Sequence, residues 1–243
     1  MSEARRIAVV PAYNESPTVI GVLDQLIGEV DEIIVIDDGS TDDTRSKIRT
    51  WIDGQSAPAR LIAFERNRGM SAAYDAAFTG LKQQLAAGEY RADDLVVTVD
   101  ADGQHDVSVL KMLHNEIEIR GFDAVMARRD LSDYPRFKQI GNTVMSQWAS
   151  WWAGSKFHDV ESGYRMMRLG ALADAMTYYK GYRYSETVEV AVVLSRLGYK
   201  VSNDLVVPVP VMRSNTRLRD AVQDLCMCPV AWYRAVRRRP VRR

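Results

Sequence analysis

Two aspartates one residue apart, Asp100 and Asp102, close the apolar run Leu95 to Val99. At the frayed end of a strand, carboxylates at that spacing can both turn toward one hard cation. Such a cation takes oxygen ligands, retains some water and bridges substrate phosphates. Gln104 adds a neutral oxygen on the same side. A solvated turn also accounts for two aspartates, and Asp37-Asp38-Gly39-Ser40 is likewise ordinary turn chemistry. A second set of candidates is cationic. Arg128, Arg129 and Arg136 follow another apolar run, and guanidinium forks match phosphate oxygens; the alternative is a solvated surface cluster. Asp159 is read either as a base or as the group that orients the Ser162-Gly163 turn, and His105 as a hydrogen-bond partner rather than a ligand. No Gly-x-Gly-x-x-Gly or Gly-Lys-Ser/Thr loop follows any strand, which argues against a dehydrogenase-type dinucleotide site and a P-loop.

The elements that must position these residues alternate. Runs at Ile7 to Val10, Glu32 to Ile36, Arg60 to Phe64, Leu95 to Val99 and Ala124 to Ala127 read as strands, with helical periodicity between them, as in Pro17 to Ile27. This rhythm predicts an α/β fold with a mostly parallel sheet covered by helices on both faces. Ligands of such sheets bind outside the carboxyl ends of the strands, where Pro11 to Glu15, Asp37 to Ser40 and Asp100 to His105 fall. After Ala127 the spacing predicts a helix carrying Ile140, Val144, Trp148, Trp151 and Trp152. A strand near Tyr164 to Met167, a helix over Glu186 to Leu197 and a strand from Lys200 to Val211 follow. The three tryptophans read as core or as a lipid-facing belt.

The 243 residues, 47% hydrophobic and 26% charged, suit a globular domain. No run approaches the about 18 apolar residues of a spanning helix. Cys226 and Cys228, with one residue between them, match neither a redox nor a zinc pattern, so both are expected to be buried free thiols. Net charge is zero, yet residues 213–243 hold nine arginines against two acids, a net +7, which leaves the other 212 residues at −7. That distribution argues against general nucleic-acid binding by the whole surface and leaves open a cationic end that meets an anionic surface. The expected organisation is one domain over 1–212, with a nucleotide half (about 1–127) and an acceptor half (128–212), followed by a basic amphipathic segment. The apolar stripe of that segment is Leu218, Val222, Leu225, Trp232 and Val236.

Taken together, Pro11-Ala12-Tyr13-Asn14-Glu15, Asp37-Asp38-Gly39-Ser40-Thr41-Asp42, Asn67-x-Gly69 and Asp100-Ala101-Asp102-Gly103-Gln104-His105 resemble the family-2 glycosyltransferases of GT-A fold, in order and spacing. The resemblance is to the polyprenyl-phosphate sugar synthases of the dolichyl-phosphate mannose synthase type. It runs on through Arg136, Gly141-Asn142, Asp159, Ser162-Gly163-Tyr164-Arg165 and Glu189. It implies that Pro11, Tyr13 and Glu15 line a nucleoside pocket and that Asp38 accepts hydrogen bonds from the base. Asn67, Ala101 and Arg213 would complete the nucleotide-sugar site. It also implies that Asp100, Asp102 and Gln104 hold Mg²⁺ or Mn²⁺ against the diphosphate, and that Arg128 and Arg136 receive the acceptor phosphate. The family's basic loop reads Arg…Gly-x-Ser-Lys. Here Arg213-Ser214-Asn215-Thr216-Arg217 is shorter and lacks the glycine.

The expected activity is inverting, metal-dependent transfer of a hexose, mannose favoured, from a GDP- or UDP-linked sugar to a polyprenyl phosphate. The enzyme is expected to be cytoplasmic and peripheral on the inner face of a membrane, held there through its C-terminal segment. A hydroxyl acceptor is the alternative; it requires a carboxylate base, and Asp159, Glu161 and Glu189 are the candidates. An inactive membrane-associated scaffold is the reading from another class.

Overall fold

Along the first apolar run, Ile7 and Val9 join one buried cluster while Ala8 and Val10 join another, so both faces of the strand are covered. The computed structural model that shows this describes residues 3–181, 185–208 and 218–237, without the side chains of 218–223. Strands β1 (Arg6–Ala12), β2 (Glu32–Asp37), β3 (Ala59–Ala63) and β4 (Leu95–Thr98) alternate with helices α1 (Val19–Leu26), α2 (Thr44–Asp53) and α3 (Met70–Ala86). Helix α4 (Leu110–Glu118) leads to β5 (Ala124–Met126) and β6 (Arg128–Arg129). Then come α5 (Arg136–Ala153), β7 (Arg165–Arg168), α6 (Leu169–Met176), α7 (Glu186–Leu197), β8 (Val201–Ser202), β9 (Val206–Val207) and α8 (Leu218–Arg237).

The seven-stranded sheet has the order β3-β2-β1-β4-β7-β5-β8. Its pairs are parallel except that β7 runs antiparallel to both β4 and β5. Helices α1, α2 and α4 cover one face, and α3, α5, α6, α7 and α8 the other. The expected α/β architecture is therefore present. The reversed strand matters most for the site: with Thr98 opposite Arg165, the start of β7 lies beside the carboxyl end of β4.

Several local expectations need correction. The first helix starts at Val19 rather than Pro17, because Glu15 O accepts from Thr18 N and Val19 N and the intervening residues form a turn. The strand expected over Lys200 to Val211 is two short strands in different sheets, with 209–211 outside the described residues. Buried Asn203 breaks it. Its side chain accepts from His158 N and Asp159 N and donates to Met126 O and Asp159 O. The chain then leaves β5 and pairs β9 with β6. Only Cys228 of the two free cysteines is buried, since residues two apart on a helix point to nearly opposite sides. The C-terminal helix is packed on the body. Leu225 and Trp232 of the expected stripe lie against the core cluster, Trp148 Nε1 donates to Leu225 O at 2.9 Å, and Arg234 pairs with Glu189 at 2.8 Å. Among the described residues no helix is long and apolar enough to cross a membrane.

Candidate active site

From β1 the chain builds outward through β2 and β3 on one side, while β4 pairs with β1 on the other. The crevice beyond the carboxyl ends of β1 and β4 is thus a topological switch point, the favoured ligand position in an open α/β sheet. Buried Pro11 fits this splaying. Val99 N donates to Val9 O, so Pro11, two residues on, faces the side where the β4 ladder has ended. Its missing N–H therefore breaks no ladder bond. Beyond it the chain turns through Asn14 at φ 57. Asn14 N donates to Ser40 Oγ at 3.0 Å and its Oδ1 accepts from Thr41 N at 2.8 Å, which ties the first strand-end loop to the second. Gly39, at φ +72, is where the loop after β3 comes closest; a Cβ there would lie 2.2 Å from Arg66 C.

Asp38, expected to accept hydrogen bonds from the base, already has two partners within the chain. It is buried, and its Oδ1 and Oδ2 accept from Arg68 N and Gly69 N at 2.7 and 2.9 Å. Its carboxylate holds the loop that bears exposed Asn67. Replacing Asp38 by Ala is expected to loosen the Asn67 loop, because its two charge-assisted bonds, worth about 1.5–3 kcal/mol each, are lost, and through that loosening to lower nucleoside-diphosphate affinity about tenfold in a variant that still folds. Calorimetry checks this; unchanged affinity in a folded variant would remove the Asn67 loop from the donor pocket.

At the end of β4, Asp100 and Asp102 stand on either side of buried Ala101. Asp100 N donates to His105 Nδ1 at 3.0 Å, and His105 stacks on Tyr164 with centroids 4.5 Å apart. From the other side, Thr98 Oγ1 donates to Gly163 O at 2.5 Å, and a Cβ on Gly163 would sit 3.2 Å from Asp100 Oδ2. Thus β7 brings bare backbone against the carboxylate. Gln104 N donates to Asp102 Oδ1 at 3.0 Å and its side-chain amide to Oδ2 at 2.6 Å.

The electrostatics favour a cation here. Burial is the largest cause raising the Asp102 pKa, with the Asp100 charge adding to it against the bonds from Gln104. Glu15 is also raised, first by burial and then by the charges of Asp102, Asp100 and Asp42, while Thr18 lowers it. Asp100 Oδ1 is buried without a hydrogen-bond partner. An orphaned carboxylate oxygen among mutually repelling acids fits a hard divalent ion. Among the described residues no group of three or more His, Cys, Asp and Glu forms a ready cage, so an ion bound here would take further ligands from Gln104, phosphate and water.

On the acceptor side, Arg128 follows β5 and Arg136 opens α5; neither forms an ion pair among the described residues, and Arg136 is exposed. Arg129 differs from its neighbours. It grips both oxygens of buried Asp159 through Nε and Nη2, at 2.7 and 2.8 Å, with Glu161 3.9 Å away. Asp159 therefore serves Arg129 and not the Ser162-Gly163 turn. Glu189 accepts from Lys180 N and Gly181 N and pairs with Arg234. Tyr13 is 43% exposed at the crevice rim, and Arg213 lies outside the described residues.

The sequence reading missed a buried ion pair beneath Asp100. Fully buried Arg165 donates to both carboxylate oxygens of Glu186 at 3.0 and 2.6 Å, and its guanidinium lies 5.5 Å from the Tyr74 ring centroid. Burial opposes the charge on Arg165, and the carboxylate of Glu186 outweighs it with help from Tyr74 and Asp100, so its pKa is raised. The available signal was an arginine inside the apolar run Tyr164-Arg165-Met166-Met167.

The profile described as "Glycosyl transferase family 2" matches residues 7–185. A UDP-N-acetylglucosamine–dolichyl-phosphate N-acetylglucosaminyltransferase of Methanococcus voltae is 28% identical over 205 residues, covering 77% of this chain and 78% of that protein. An undecaprenyl-phosphate mannosyltransferase of Micrococcus luteus is 28% identical over 212 residues, covering 81% and 80%. In fold, the chain is similar to glucosyl-3-phosphoglycerate synthase of Mycobacterium tuberculosis, solved with Mn²⁺, UDP and phosphoglyceric acid. That match has a TM-score of 0.65 at 19% identity over 96% of this chain and 78% of the other. With three quarters of its length inside the profile and a GT-A-like sheet carrying the crevice, the chain belongs to glycosyl transferase family 2.

Proposed function

We propose that this glycosyltransferase moves a hexose, mannose favoured, from a GDP- or UDP-linked sugar to a polyprenyl phosphate, with inversion. The observation that carries the phosphate acceptor is a contrast within the site. Arg128 and Arg136 have no ion-pair partner among the described residues, while Asp159 and Glu189 are hydrogen-bonded within ion pairs and Glu161, the third candidate base, lies 3.9 Å from Arg129. A phosphomonoester with a second pKa of about 6 is already a dianion at pH 7 and needs no base. The polyprenyl-phosphate substrates in the names of the Methanococcus and Micrococcus relatives support this reading.

In it, Pro11, Tyr13 and Glu15 border the nucleoside, and Asp38 shapes the pocket through the Asn67 loop. Asp100, Asp102 and Gln104 hold Mg²⁺ or Mn²⁺ at the diphosphate. The bound cation would neutralise charge on the departing diphosphate. Arg128 and Arg136 hold the acceptor phosphate in line with the anomeric carbon, on the face opposite the leaving group, so that alignment carries much of the rate. Arg213 lies near enough in sequence to the end of β9 to serve as the family's clamp residue. The enzyme works as a peripheral protein on the inner face of a membrane, with its cationic C-terminal segment adding attraction.

One observation favours a second reading, transfer to a hydroxyl. Glu161 is raised in pKa, chiefly by burial, against the lowering charge of Arg129, as suits a general base. The two separate by mutation. With a phosphate acceptor, Arg128→Ala or Arg136→Ala raises the acceptor KM about tenfold or more, the scale of a lost charge-assisted bond, and leaves nucleotide binding intact. With a hydroxyl acceptor, Glu161→Gln is the crippling change. Mild-acid lability of the product identifies a glycosyl phosphate directly.

A further inference from the structure

Helix α5 presents a bulky apolar stripe outward, although Met145 and Trp152 pack inward. Its exposed large residues are Phe137, Ile140, Val144, Trp148 and Trp151, between 37% and 72% exposed and spaced 3, 4, 4 and 3 residues apart. That spacing draws one continuous stripe. The inward side carries Asn142, Met145, Ser146, Ala149 and Ala153. Soluble helices place bulky apolar residues on the core side. The orientation of α5 is fixed by bonding: Asn142 Nδ2 donates to His158 O at 3.2 Å and Val160 N donates to Ser146 Oγ at 3.1 Å. Its neighbour α8 repeats the pattern. Asp224, Cys228, Ala231 and Ala235 are buried, while Val230, Tyr233 and Val236 are exposed.

We propose that the exposed stripe of α5, with the outer side of α8 beside it, is the surface on which this protein enters the boundary of an anionic lipid bilayer. Charge selects that occupant. From Arg136 to Ala153 there are two cations and no acid, and the outer side of α8 ends in Arg237, stacked 5.0 Å over Tyr233. A second copy of the chain would set cations against cations, whereas an anionic bilayer attracts them. Tryptophan and tyrosine on an apolar strip with cations at its ends suit the headgroup level. The membrane contact is thereby moved from the predicted stripe of the C-terminal segment, whose Leu225 and Trp232 are turned toward α5 and the core. The stripe begins one residue after Arg136, so this location rests on the peripheral reading above and deepens it: an acceptor phosphate at Arg136 would lie at the bilayer face.

The test is sedimentation of the full chain with vesicles of equal parts phosphatidylcholine and phosphatidylglycerol, without donor or acceptor. The triple variant Ile140→Ser/Val144→Ser/Trp151→Ser is expected to bind roughly tenfold or more weakly, since interfacial binding scales with buried apolar area. Its nucleotide binding and its transfer to a short, water-soluble prenyl phosphate stay at the wild-type level. Neutralising Arg238, Arg239, Arg242 and Arg243 with Gln should remove only the salt-sensitive part of binding. In the wild type, lipids brominated on the acyl chain should quench tryptophan emission, and Trp151→Phe should lose much of that quenching. The last measurement stands even where the triple variant does not fold. Equal binding by the triple variant, complete loss on neutralising the tail alone, no quenching by brominated lipid, or a dimer that the triple variant dissolves would each overturn the assignment. Vesicle binding that persists when the wild type transfers no sugar to a prenyl phosphate would instead overturn the acceptor reading alone.

Discussion

Replacing Asp102 by Asn is expected to lower sugar transfer on the order of 10³-fold at saturating donor, with the fold intact, the scale seen when one preorganised charge at a leaving group is removed. The geometry gives the reason. Asp102 is held by two bonds from Gln104 and shares the crevice with Asp100, whose Oδ1 is buried without a partner. A neutral amide keeps the shape and loses the charge that would retain the ion. The same charges set a pH dependence. Asp102 and Glu15 have raised pKa values, so their ionised forms disfavour folding. Their contribution is therefore best below the unfolded carboxylate value and is lost as pH rises through the raised folded value. Mn²⁺ or Mg²⁺ should restore that loss at pH 7, seen as a rise in Tm that shrinks in acid and is absent in Asp102→Asn. Rates within tenfold of wild type in the variant, or full wild-type activity in excess chelator, would remove the metal from the reaction.

Arg165→Met is expected to destabilise the protein by about 3–5 kcal/mol, because it leaves Glu186 as an unpaired buried charge. For a domain of this size that is a fall in Tm of roughly 6–20 °C, at 2–4 °C per kcal/mol. Arg165 and Glu186 are both at most 1% exposed, and two hydrogen bonds join them. Changing both, as Arg165→Met/Glu186→Leu, should recover most of the loss, since apolar replacement of a buried pair is often neutral. Denaturant unfolding of the single and double variants measures this directly. If the double variant regains stability yet transfers sugar poorly, the pair also holds Asp100, toward which the start of β7 is packed. Single and double variants equally unstable would show that the pair is not a unit.

Much of the sheet was legible because each strand carries its own signal. Ile33-Ile34-Val35-Ile36 is continuous because both faces of β2 are covered, and the polar strand ends follow from where such sheets bind ligands. Local bonding moved the boundaries. Glu15 O delays the start of α1, and Asn203 divides the last strand by satisfying four backbone groups that a straight strand would leave apart. The candidate residues were legible as types. The partners of Asp38, Arg129 and Asp159 were not, since each lies about 30 residues away in the chain.

By itself the sequence determined the α/β rhythm, the acidic strand end at Asp100 and Asp102, the arginines after β5, and the family to which the motifs belong. These rest on residue type and on periods of two and 3.6, which are local and survive without knowledge of the partners. Only the tertiary structure decided that β7 runs backwards into the sheet, and so that Gly163 meets Asp100 and Arg165 lies sealed beneath it. It alone decided that Asp159 and Glu189 are held in ion pairs while, among the described residues, Arg128 and Arg136 are not. The same holds for the apolar stripes. Periodicity shows that α5 and α8 each have one, but whether a stripe faces core or solvent depends on what packs against the other side. For α5 the bonds to Asn142 and Ser146 turn the apolar side outward, a choice made by burial and hydrogen bonding between distant segments.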